Sequence, residues 1–336
     1  MKAVTWHGKR DVRVEEVPDP RILQPTDAVV RVTSTGVCGS DLHLYEVLGP
    51  FMTEGDVLGH EPMGVVEEVG AEVTRLKPGD RVVVPFNISC GSCFMCDRGL
   101  QSQCETTQVT AQGKGAALLG YTKLYGQVPG GQAEYLRVPR AQYGPVKVPD
   151  GPPDDRFVYL SDVLPTAWQA VEYAEIPPGG SVAVFGLGPV GQMAARVARH
   201  GATAVRFAHN LVSALPRQAG ALLTEKAGID RLSVLYAAID SVRRGGTISL
   251  SGVYGGMIDP IPMMELFDKQ IRLHMGQANV RRWVDDILPL LSGTDDPLGV
   301  DDFATHRLPL DEAPRAYEMF QKKLYGAQKV LLLPTI

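Results

Sequence analysis

Short apolar runs rich in β-branched residues dominate the first 150 positions of the chain. Three of them read "DAVVRVTSTGV", "MGVVEEVGAEV" and "DRVVVPF", and turn signals such as "LKPGD" separate them. Runs of this kind, bounded by Gly and Pro, are typical of strands. The pattern therefore predicts a β-rich domain over residues 1–150.

The pattern changes after residue 150. The segment "SDVLPTAWQAVEYAEIPPGG" places Pro165 where a helix can begin, and apolar positions at helical spacing follow it. The next segment, "SVAVFGLGPVGQMAARVARHG", combines a buried strand, a glycine turn and a helix. Farther on, "LSVLYAAIDSVRRGG" and "RLPLDEAPRAYEMFQKK" predict helices, whereas "TISLSGVY" and "QKVLLLP" predict strands. Strands that alternate with helices indicate an α/β fold.

Length and charge exclude several classes of protein. At 336 residues the chain exceeds the size at which one core keeps growing, so two domains are expected. Its net charge of −5 argues against a nucleic-acid partner, which needs a basic face. No apolar run approaches the ~20 residues of a membrane span, and "MKAVTWHGKRDV" lacks the apolar core of a signal peptide. We therefore expect a soluble cytoplasmic protein whose thiols stay reduced.

Four of the five cysteines lie in one short loop, "SCGSCFMCDRGLQSQC". They are Cys90, Cys93, Cys96 and Cys104. Thiolates at this spacing can wrap one Zn²⁺ tetrahedrally, and a closed site of this kind is structural. An iron–sulfur cluster is an alternative, but bacterial ferredoxin runs end in Cys-Pro, whereas Glu105 follows here. Four unrelated free thiols are the remaining interpretation.

The fifth cysteine, Cys38, lies in "GVCGSDLH", and a second segment, "GHEPMGVVEEVG", supplies His60 and Glu61. A catalytic zinc needs about three protein ligands and an open position. Cys38 and His60 are suitable ligand types, and either Glu61 or a later carboxylate could complete the set. Taken singly, such residues are more often part of a core.

A glycine motif follows the strand "SVAVF" and begins a helix. It comprises Gly186, Gly188, Pro189, Val190 and Gly191. Between a strand and a helix, this pattern indicates a dinucleotide site with the pyrophosphate at the helix N-terminus.

The acidic residue that normally binds the ribose about 20 residues past these glycines is missing. The strand "TAVRFAH" ends at His209, and Asn210 follows. Either Arg206 or His209 tolerates a 2′-phosphate, or this stretch does not bind ribose.

These motifs occur in the order found in zinc-dependent medium-chain alcohol dehydrogenases, and the resemblance spans nearly the whole chain. "GGQAEYLRVP", "LSDVLPTAWQAV" and "LFDKQIRLHMGQANV" most resemble the glutathione-independent, formaldehyde-dehydrogenase-like branch. The resemblance implies a GroES-like catalytic domain over residues 1–150, completed by residues 300–336. It also implies a Rossmann-type nucleotide-binding domain over residues 151–299.

The resemblance implies a role for each residue of the site. Cys38, His60 and Asp162 would hold the catalytic zinc, although Asp162 could simply cap a helix. Glu61 would lie beside the metal and exchange with water, and Asp41 would orient His60.

The resemblance also implies a proton relay and the partners of the reaction. Ser40 would pass the hydroxyl proton through the cofactor ribose to His43. Phe86 and Trp168 would line the substrate pocket unless they are ordinary core residues. Lys329 would lie near the pyrophosphate unless it is a surface residue. Two zinc ions per chain, NAD (with NADP as the alternative), a small alcohol or aldehyde, and a homodimer or homotetramer are expected.

Two other functions compete with a nicotinamide-linked dehydrogenase. A non-catalytic zinc protein with a defective cofactor domain would fold without transferring hydride. A zinc-ribbon nucleic-acid binder would use only the four-cysteine loop, but the acidic charge of the chain argues against it.

The predicted Rossmann-type domain is too short for six parallel strands. Residues 210–246 separate the second strand from "TISLSGVY", and a helix already occupies the later part of this interval. About two βα units after residue 210 are absent, through a deletion in the protein or a loss from the recorded sequence. The unbroken numbering favours a deletion. We expect "SVAVFG" to pair directly with "TISLSG" or to leave an unpaired edge, and NAD binding to be weak or absent.

Overall fold

A computed structural model describes residues 1–201, 204–208, 230–252 and 261–334. The predicted features at His209 and Asn210, and the segment that follows them to residue 229, lie outside the described residues. The strands are β1 Lys2–Gly8, β2 Asp11–Glu16, β3 Ala28–Val37, β4 Asp56–Val57, β5 Pro62–Val69, β6 Arg81–Val83, β7 Tyr135–Val138, β8 Val146–Lys147, β9 Ser181–Phe185, β10 Ala204–Ala208, β11 Thr247–Leu250, β12 Arg272–Met275, β13 His306–Pro309 and β14 Val330–Leu333. The described α-helices are α1 Asp41–Glu46, α2 Asp154–Phe157, α3 Val163–Tyr173, α4 Pro189–His200, α5 Asp230–Ser241, α6 Met263–Asp268, α7 Val280–Ser292 and α8 Ala313–Lys322.

The chain divides into two compact units. The first unit is Met1–Pro165 together with the chain from Ala278 onward, and the second is Thr166–Gln277. The first unit thus includes residues 151–165 and 278–299, which the family resemblance assigns to the nucleotide-binding domain.

Polar contacts explain why the chain around α7 belongs to the first unit. Asn87 donates to the Ala278 carbonyl at 2.6 Å, and Asn279 accepts from the Ser102 backbone N–H at 2.9 Å. The apolar face of α7 adds buried Trp283, Val284, Ile287 and Leu291.

A seven-stranded sheet forms the core of the first unit. Its order is β13-β14-β3-β5-β6-β8, and β7 also pairs with β3. All pairs are antiparallel except β13 with β14. Because alternate β3 side chains point to the same face, Val30 and Val32 can pack in one cluster with Val66 of β5 and Leu136 of β7. A separate sheet has the order β2-β1-β4.

The C-terminal segment belongs to this unit. β14 adds to the long strand β3 with Val330 opposite Val37. Tyr317 and Phe320 of α8 are buried in a second cluster with Leu44 and Tyr45 of α1. Helix α1 therefore packs against helix α8, which comes from the C-terminal part of the chain.

The second unit contains two parallel strand pairs. β9 pairs with β10, and β11 pairs with β12. Of the two expected arrangements, direct pairing of "SVAVFG" with "TISLSG" is not found among the described residues, because each strand pairs with the next described strand along the chain. The other arrangement, an unpaired edge, agrees with β9 having one partner strand within the described ranges. None of the five β9 residues is buried, although strands of parallel sheets are normally covered on both faces.

None of the helices in the described ranges combines the length and apolarity that a bilayer crossing requires.

Candidate metal centres and nucleotide turn

A buried cluster of donor atoms lies at one end of the main sheet. Its members are Cys38, His60, Glu61 and Asp162, all buried, with one ligand atom of each within 4.8 Å of the others. Cys38 follows β3, and His60 and Glu61 precede β5; the antiparallel pairing of these strands brings their ends together. Asp162 immediately precedes α3, and it contributes a carboxylate oxygen to the cluster.

The distances within this cluster suit a shared cation. Asp162 Oδ2 lies 3.4 Å from Cys38 Sγ and 3.3 Å from His60 Nε2. Glu61 Oε1 is buried and, among the described residues, has no hydrogen-bond partner. Sulfur, imidazole and carboxylate are the donors that zinc takes in proteins. The donor set therefore fits a zinc ion.

Without a cation, the Cys38 thiol is hard to ionise. Burial and the nearby carboxylates of Asp162 and Glu61 raise the pKa of Cys38 to about 11. A coordinated zinc reverses this effect because it deprotonates the thiol that binds it. The electrostatics of the site thus favour a bound cation.

Asp41 lies beside the His60 ring nitrogen that points away from the cluster, Nδ1. Asp41 Oδ1 lies 3.0 Å from His60 Nδ1, and Asp41 Oδ2 accepts from the Cys38 backbone N–H at 2.9 Å. Gln132 Nε2 lies 3.3 Å from the same oxygen. A carboxylate at one ring nitrogen leaves the other free to bind metal, so this arrangement directs His60 Nε2 into the cluster.

Lys329 lies inside the same cluster. It is fully buried on the chain leading into β14, and its ammonium donates to Glu61 Oε2 and, at 3.3 Å, to the Val37 carbonyl. Although burial lowers the pKa of Lys329, Glu61 and Cys38 raise it overall. The proposed contact of Lys329 with a pyrophosphate stays a prediction, whereas its pairing with Glu61 is observed.

Gly36 leaves the space that this ion pair needs. A Cβ added at Gly36 would lie 1.8 Å from Glu61 Oε2 and 3.0 Å from Lys329 Nζ. The close approach of β3 to the buried carboxylate therefore depends on the absence of a side chain at this position.

Of the two predicted relay residues, Ser40 contacts the donor cluster, and His43 lies on helix α1. Ser40 Oγ is 3.2 Å from Cys38 Sγ and 3.1 Å from His60 Nε2, so its hydroxyl touches the cluster. His43 lies on α1 and is half-buried. Of the predicted pocket aromatics, Phe86 stands edge-on to His60 with ring centroids 6.2 Å apart. Trp168 belongs to the other compact unit.

The four-cysteine loop forms a second donor cluster. One ligand atom each of Cys90, Cys93, Cys96 and Cys104 lies within 4.8 Å of the others, and none of these thiols is in a disulfide. Cys93 Sγ and Cys104 Sγ are 3.9 Å apart. The loop can fold back because Gly99 adopts a φ of +70°.

Backbone amides around this loop donate to sulfur. The N–H groups of Ser92, Cys90 and Glu105 lie 3.4 Å from the Cys90, Cys104 and Cys93 sulfurs, respectively. Although burial would raise it, hydrogen bonds from Thr106 and Ser92 lower the pKa of Cys90 to about 6. Four convergent sulfurs with amide donors fit a closed zinc site.

The glycine motif forms the predicted strand–turn–helix. Gly186 has a φ of +91°, and α4 begins at Pro189 with Gly188 as its N-cap. A Cβ added at Gly191 would lie 1.8 Å from the Gly186 carbonyl oxygen. The turn is therefore tight, and the unpaired N–H groups of the first α4 turn can receive an anion.

Comparisons with known proteins identify the family. The model of the alcohol dehydrogenase GroES-like domain matches residues 24–150. An uncharacterized zinc-type alcohol dehydrogenase-like protein of Bacillus subtilis is 37% identical over 383 residues, which cover 99% of this chain and 100% of that protein. The chain belongs to the zinc-type alcohol dehydrogenase family.

A solved structure supports the fold of this zinc-type alcohol dehydrogenase. Alcohol dehydrogenase TADH from Thermus sp. ATN1 is 36% identical, with a TM-score of 0.83 and 99% of each chain covered. The predicted fold class, an α/β protein with a GroES-like domain, is thereby confirmed.

The branch within the family is less resolved than the family itself. A glutathione-independent formaldehyde dehydrogenase of Pseudomonas aeruginosa is 38% identical, but over 210 residues that cover 59% of this chain and 51% of that one. These matches establish a zinc-type alcohol dehydrogenase, whereas the formaldehyde-dehydrogenase-like branch stays a hypothesis.

Sequence reasoning missed one aromatic residue of this dehydrogenase site. The Tyr121 ring stands edge-on to the His60 ring, with the ring centroids 6.3 Å apart. Tyr121 lies outside all the zinc-binding motifs of the sequence. Burial raises the pKa of Tyr121 to about 12, so its hydroxyl stays protonated. No local signal in "LLGYTKLYG" distinguishes it from the neighbouring Tyr125, and only the fold places it beside His60.

Proposed function

We propose that this chain transfers hydride between a small alcohol or aldehyde hydrate and a nicotinamide cofactor, at a zinc ion held by Cys38, His60 and Asp162. The convergence of these three buried donors, with the Ser40 hydroxyl against two of them, carries the proposal. A zinc ion bound there supplies Lewis acidity that makes a substrate hydroxyl easier to ionise.

The residues of the chain supply orientation and proton movement. Asp41 holds His60 in the tautomer that presents Nε2 to the metal. Ser40 accepts the substrate proton, because its Oγ lies at the edge of the donor cluster, and His43 delivers that proton to solvent. Glu61, paired with Lys329, would lie beside a bound metal, where its carboxylate could exchange with water.

We propose a structural zinc in the four-cysteine loop. All four ligand positions are taken by sulfur, so no coordination site is left for a substrate. The contribution of this ion is to the folding of residues 90–104 rather than to the reaction.

The proposed nucleotide site lies in the second unit. The turn at Gly186, Gly188 and Gly191 suits a pyrophosphate, so NAD is the proposed cofactor and NADP its alternative. However, the alignment with the Bacillus subtilis relative extends over 383 residues, more than the 336 of this chain. That relative therefore contains residues without a counterpart here, which supports a shortened Rossmann-type domain and weak cofactor binding.

A zinc-binding relative without catalytic activity is the second candidate function. The absence of any fully buried residue in β9 supports it, since this strand would lie at the centre of a complete sheet. Such a protein would retain both zinc ions and show no hydride transfer.

Three further features are proposals of the same kind. The partial match to formaldehyde dehydrogenase supports formaldehyde or a short primary alcohol as substrate. A homodimer or homotetramer is supported by exposed apolar residues on and before the fully exposed strand β12, which are Met263, Met264, Phe267, Leu273 and Met275. The five free cysteines support a cytoplasmic location.

An assay of zinc-loaded protein tests the main proposal. Formaldehyde and short primary alcohols are supplied with NAD or NADP, and reduced nicotinamide is followed by its absorbance. We expect slow, cofactor-dependent turnover that Cys38→Ser abolishes while the protein stays folded. Ser40→Ala and His43→Gln should lower the rate without changing the zinc content.

Two outcomes would contradict the proposal. Turnover that persists in Cys38→Ser would remove the buried cluster from the reaction. No turnover in the unaltered protein, with two zinc ions bound, would favour the non-catalytic relative.

A further inference from the structure

Gln132 is a buried polar residue without a role in the proposed reaction. It lies in "GGQAEYLRVP", just before β7, and none of its surface is exposed. Its N–H donates to the Leu58 carbonyl at 2.9 Å, and its carbonyl accepts from the Val4 N–H at 2.8 Å. A Cβ added at Gly59, the residue before His60, would lie 2.4 Å from Gln132 Cγ. The Gln132 side chain is therefore packed against the segment that carries His60.

Both polar atoms of the Gln132 side-chain amide have partners. Nε2 donates to the Gly36 carbonyl at 3.1 Å and to Asp41 Oδ2 at 3.3 Å. Oε1 accepts from the Tyr317 hydroxyl at 2.8 Å. The opposite orientation of the amide would turn Oε1 toward two acceptors. The Tyr317 O–H thus favours the orientation in which Gln132 donates to Asp41.

These contacts form one buried chain of polar groups from helix α8 to the donor cluster. Tyr317, Gln132 and Asp41 have no exposed surface. Asp41 Oδ1 lies 3.0 Å from His60 Nδ1, and neither atom has a hydrogen-bond partner outside this pair among the residues that the structure describes. Polar contacts are electrostatically stronger in such an interior than in water. The direction of the Asp41 carboxylate therefore depends on a hydroxyl group from the C-terminal part of the chain.

We propose that Gln132 and Tyr317 are positioning residues for the zinc ion of the buried cluster that contains Cys38. The Tyr317 hydroxyl fixes the Gln132 amide, and the amide fixes the Asp41 carboxylate. That carboxylate holds His60 with Nε2 toward the metal. The inference rests on the proposed zinc at this cluster, but it depends neither on the cofactor nor on hydride transfer.

Competition with a chelator, on the full zinc-loaded chain, measures the effect on metal affinity. The cluster zinc is identified as the ion that Cys38→Ser loses, which separates it from the zinc of the four-cysteine loop. We expect Tyr317→Phe to weaken binding of the cluster zinc about tenfold, at the low end of the range of about 10–100-fold for the loss of an outer partner of a ligand. The loop zinc should keep its affinity.

A second variant and a matched control accompany this measurement. Gln132→Met should weaken the cluster zinc at least as much as Tyr317→Phe, because it removes both polar links and keeps the length of the side chain. Tyr45→Phe is the control: the Tyr45 ring is buried in the same apolar cluster, 5.4 Å from the Tyr317 ring between centroids, and its hydroxyl takes no part in the chain of polar groups. It should leave both zinc affinities unchanged.

Cobalt in place of the cluster zinc distinguishes positioning from a loss of packing. The visible absorption bands of Co²⁺ depend on the geometry of its ligands. We expect these bands to move in Tyr317→Phe and in Gln132→Met, and to stay in place in Tyr45→Phe. Denatured protein would lose the bands instead of shifting them.

The inference fails if the cluster ion keeps its affinity and its cobalt spectrum in both Tyr317→Phe and Gln132→Met. It also fails if both zinc ions weaken equally, since the two residues would then support only the packing of the first unit. A selectively weaker cluster zinc in a protein without turnover would support the inference and contradict the proposed reaction. Failure of the unaltered protein to bind the cluster zinc would overturn both.

Discussion

The two compact units form their sheets in different ways. In the first unit, β3 pairs with β5, β7 and β14, and most of its ten residues are buried. In the second unit, β9 has β10 as its only partner within the described ranges, and none of its residues is buried. A parallel strand depends on crossovers and neighbours supplied by long stretches of chain, so the proposed loss of such a stretch would leave the remaining strands uncovered.

This difference separates the metal chemistry from the cofactor chemistry. Both donor clusters lie entirely within the first unit, whereas the glycine turn lies in the second. The first unit therefore contains all that is needed to bind zinc, and cofactor binding depends on the shorter unit.

Removal of a thiol from the loop should give the largest effect. We expect Cys93→Ser to lose one zinc ion and several kcal/mol of the free energy of unfolding, because closed zinc sites contribute directly to folding. Denaturant unfolding and elemental analysis measure the two quantities. Cys38→Ser is the matched control, and it should also lose one zinc but keep the fold. An unchanged unfolding midpoint for Cys93→Ser would show that the loop is not needed for the first unit.

A methyl group at Gly36 should give a smaller but clear effect. The Cβ of Gly36→Ala would displace the buried Glu61–Lys329 pair, and we expect a loss of about 3 kcal/mol in stability, in the range found for broken buried ion pairs. Gly39→Ala is the control, since nothing lies within 4 Å of its added Cβ. Equal unfolding midpoints for the two variants would show that the pair adjusts without cost.

The smallest expected effect is a pH dependence at His7 on β1. Its Nε2 lies 2.7 Å from Glu15 and its Nδ1 2.9 Å from Glu54. Burial alone would lower the pKa of His7, but these carboxylates raise it overall. A raised folded pKa stabilises the protein fully below the unfolded value of about 6.5, and this contribution is lost as pH rises through the folded pKa.

His7→Gln should remove this dependence. Because both carboxylates are exposed, we expect about 1 kcal/mol or less. The measurement is urea unfolding from pH 5 to pH 9. A variant that keeps the full slope of stability against pH would assign the dependence to other groups.

The sequence predicts the local features of this molecule better than the distant ones. The four-cysteine cluster and the strand–turn–helix at Gly186 follow from short spacings, and both are observed. Helix α3 begins at Val163, two positions before the predicted Pro165. Residue type alone suggested Cys38, His60 and Glu61 as ligands of a second site, but Asp162 was accessible only through family resemblance, because the fold brings these distant segments together.

Three features could not be obtained from sequence spacing. Lys329 meets Glu61 across most of the chain, Tyr121 approaches His60 from a loop, and α7 packs with the first unit. Each depends on tertiary packing between segments whose local pattern is ordinary.

Native mass spectrometry of the purified protein tests the central claim, that a complete metal-binding unit is joined to a shortened nucleotide-binding unit. We predict a chain of 36.3 kDa that carries two zinc ions and shows no dinucleotide adduct with NAD or NADP below about 1 mM, a binding free energy weaker than about 4 kcal/mol. A chain several kilodaltons heavier, fewer than two zinc ions, or a stable dinucleotide adduct at micromolar concentration would contradict the account.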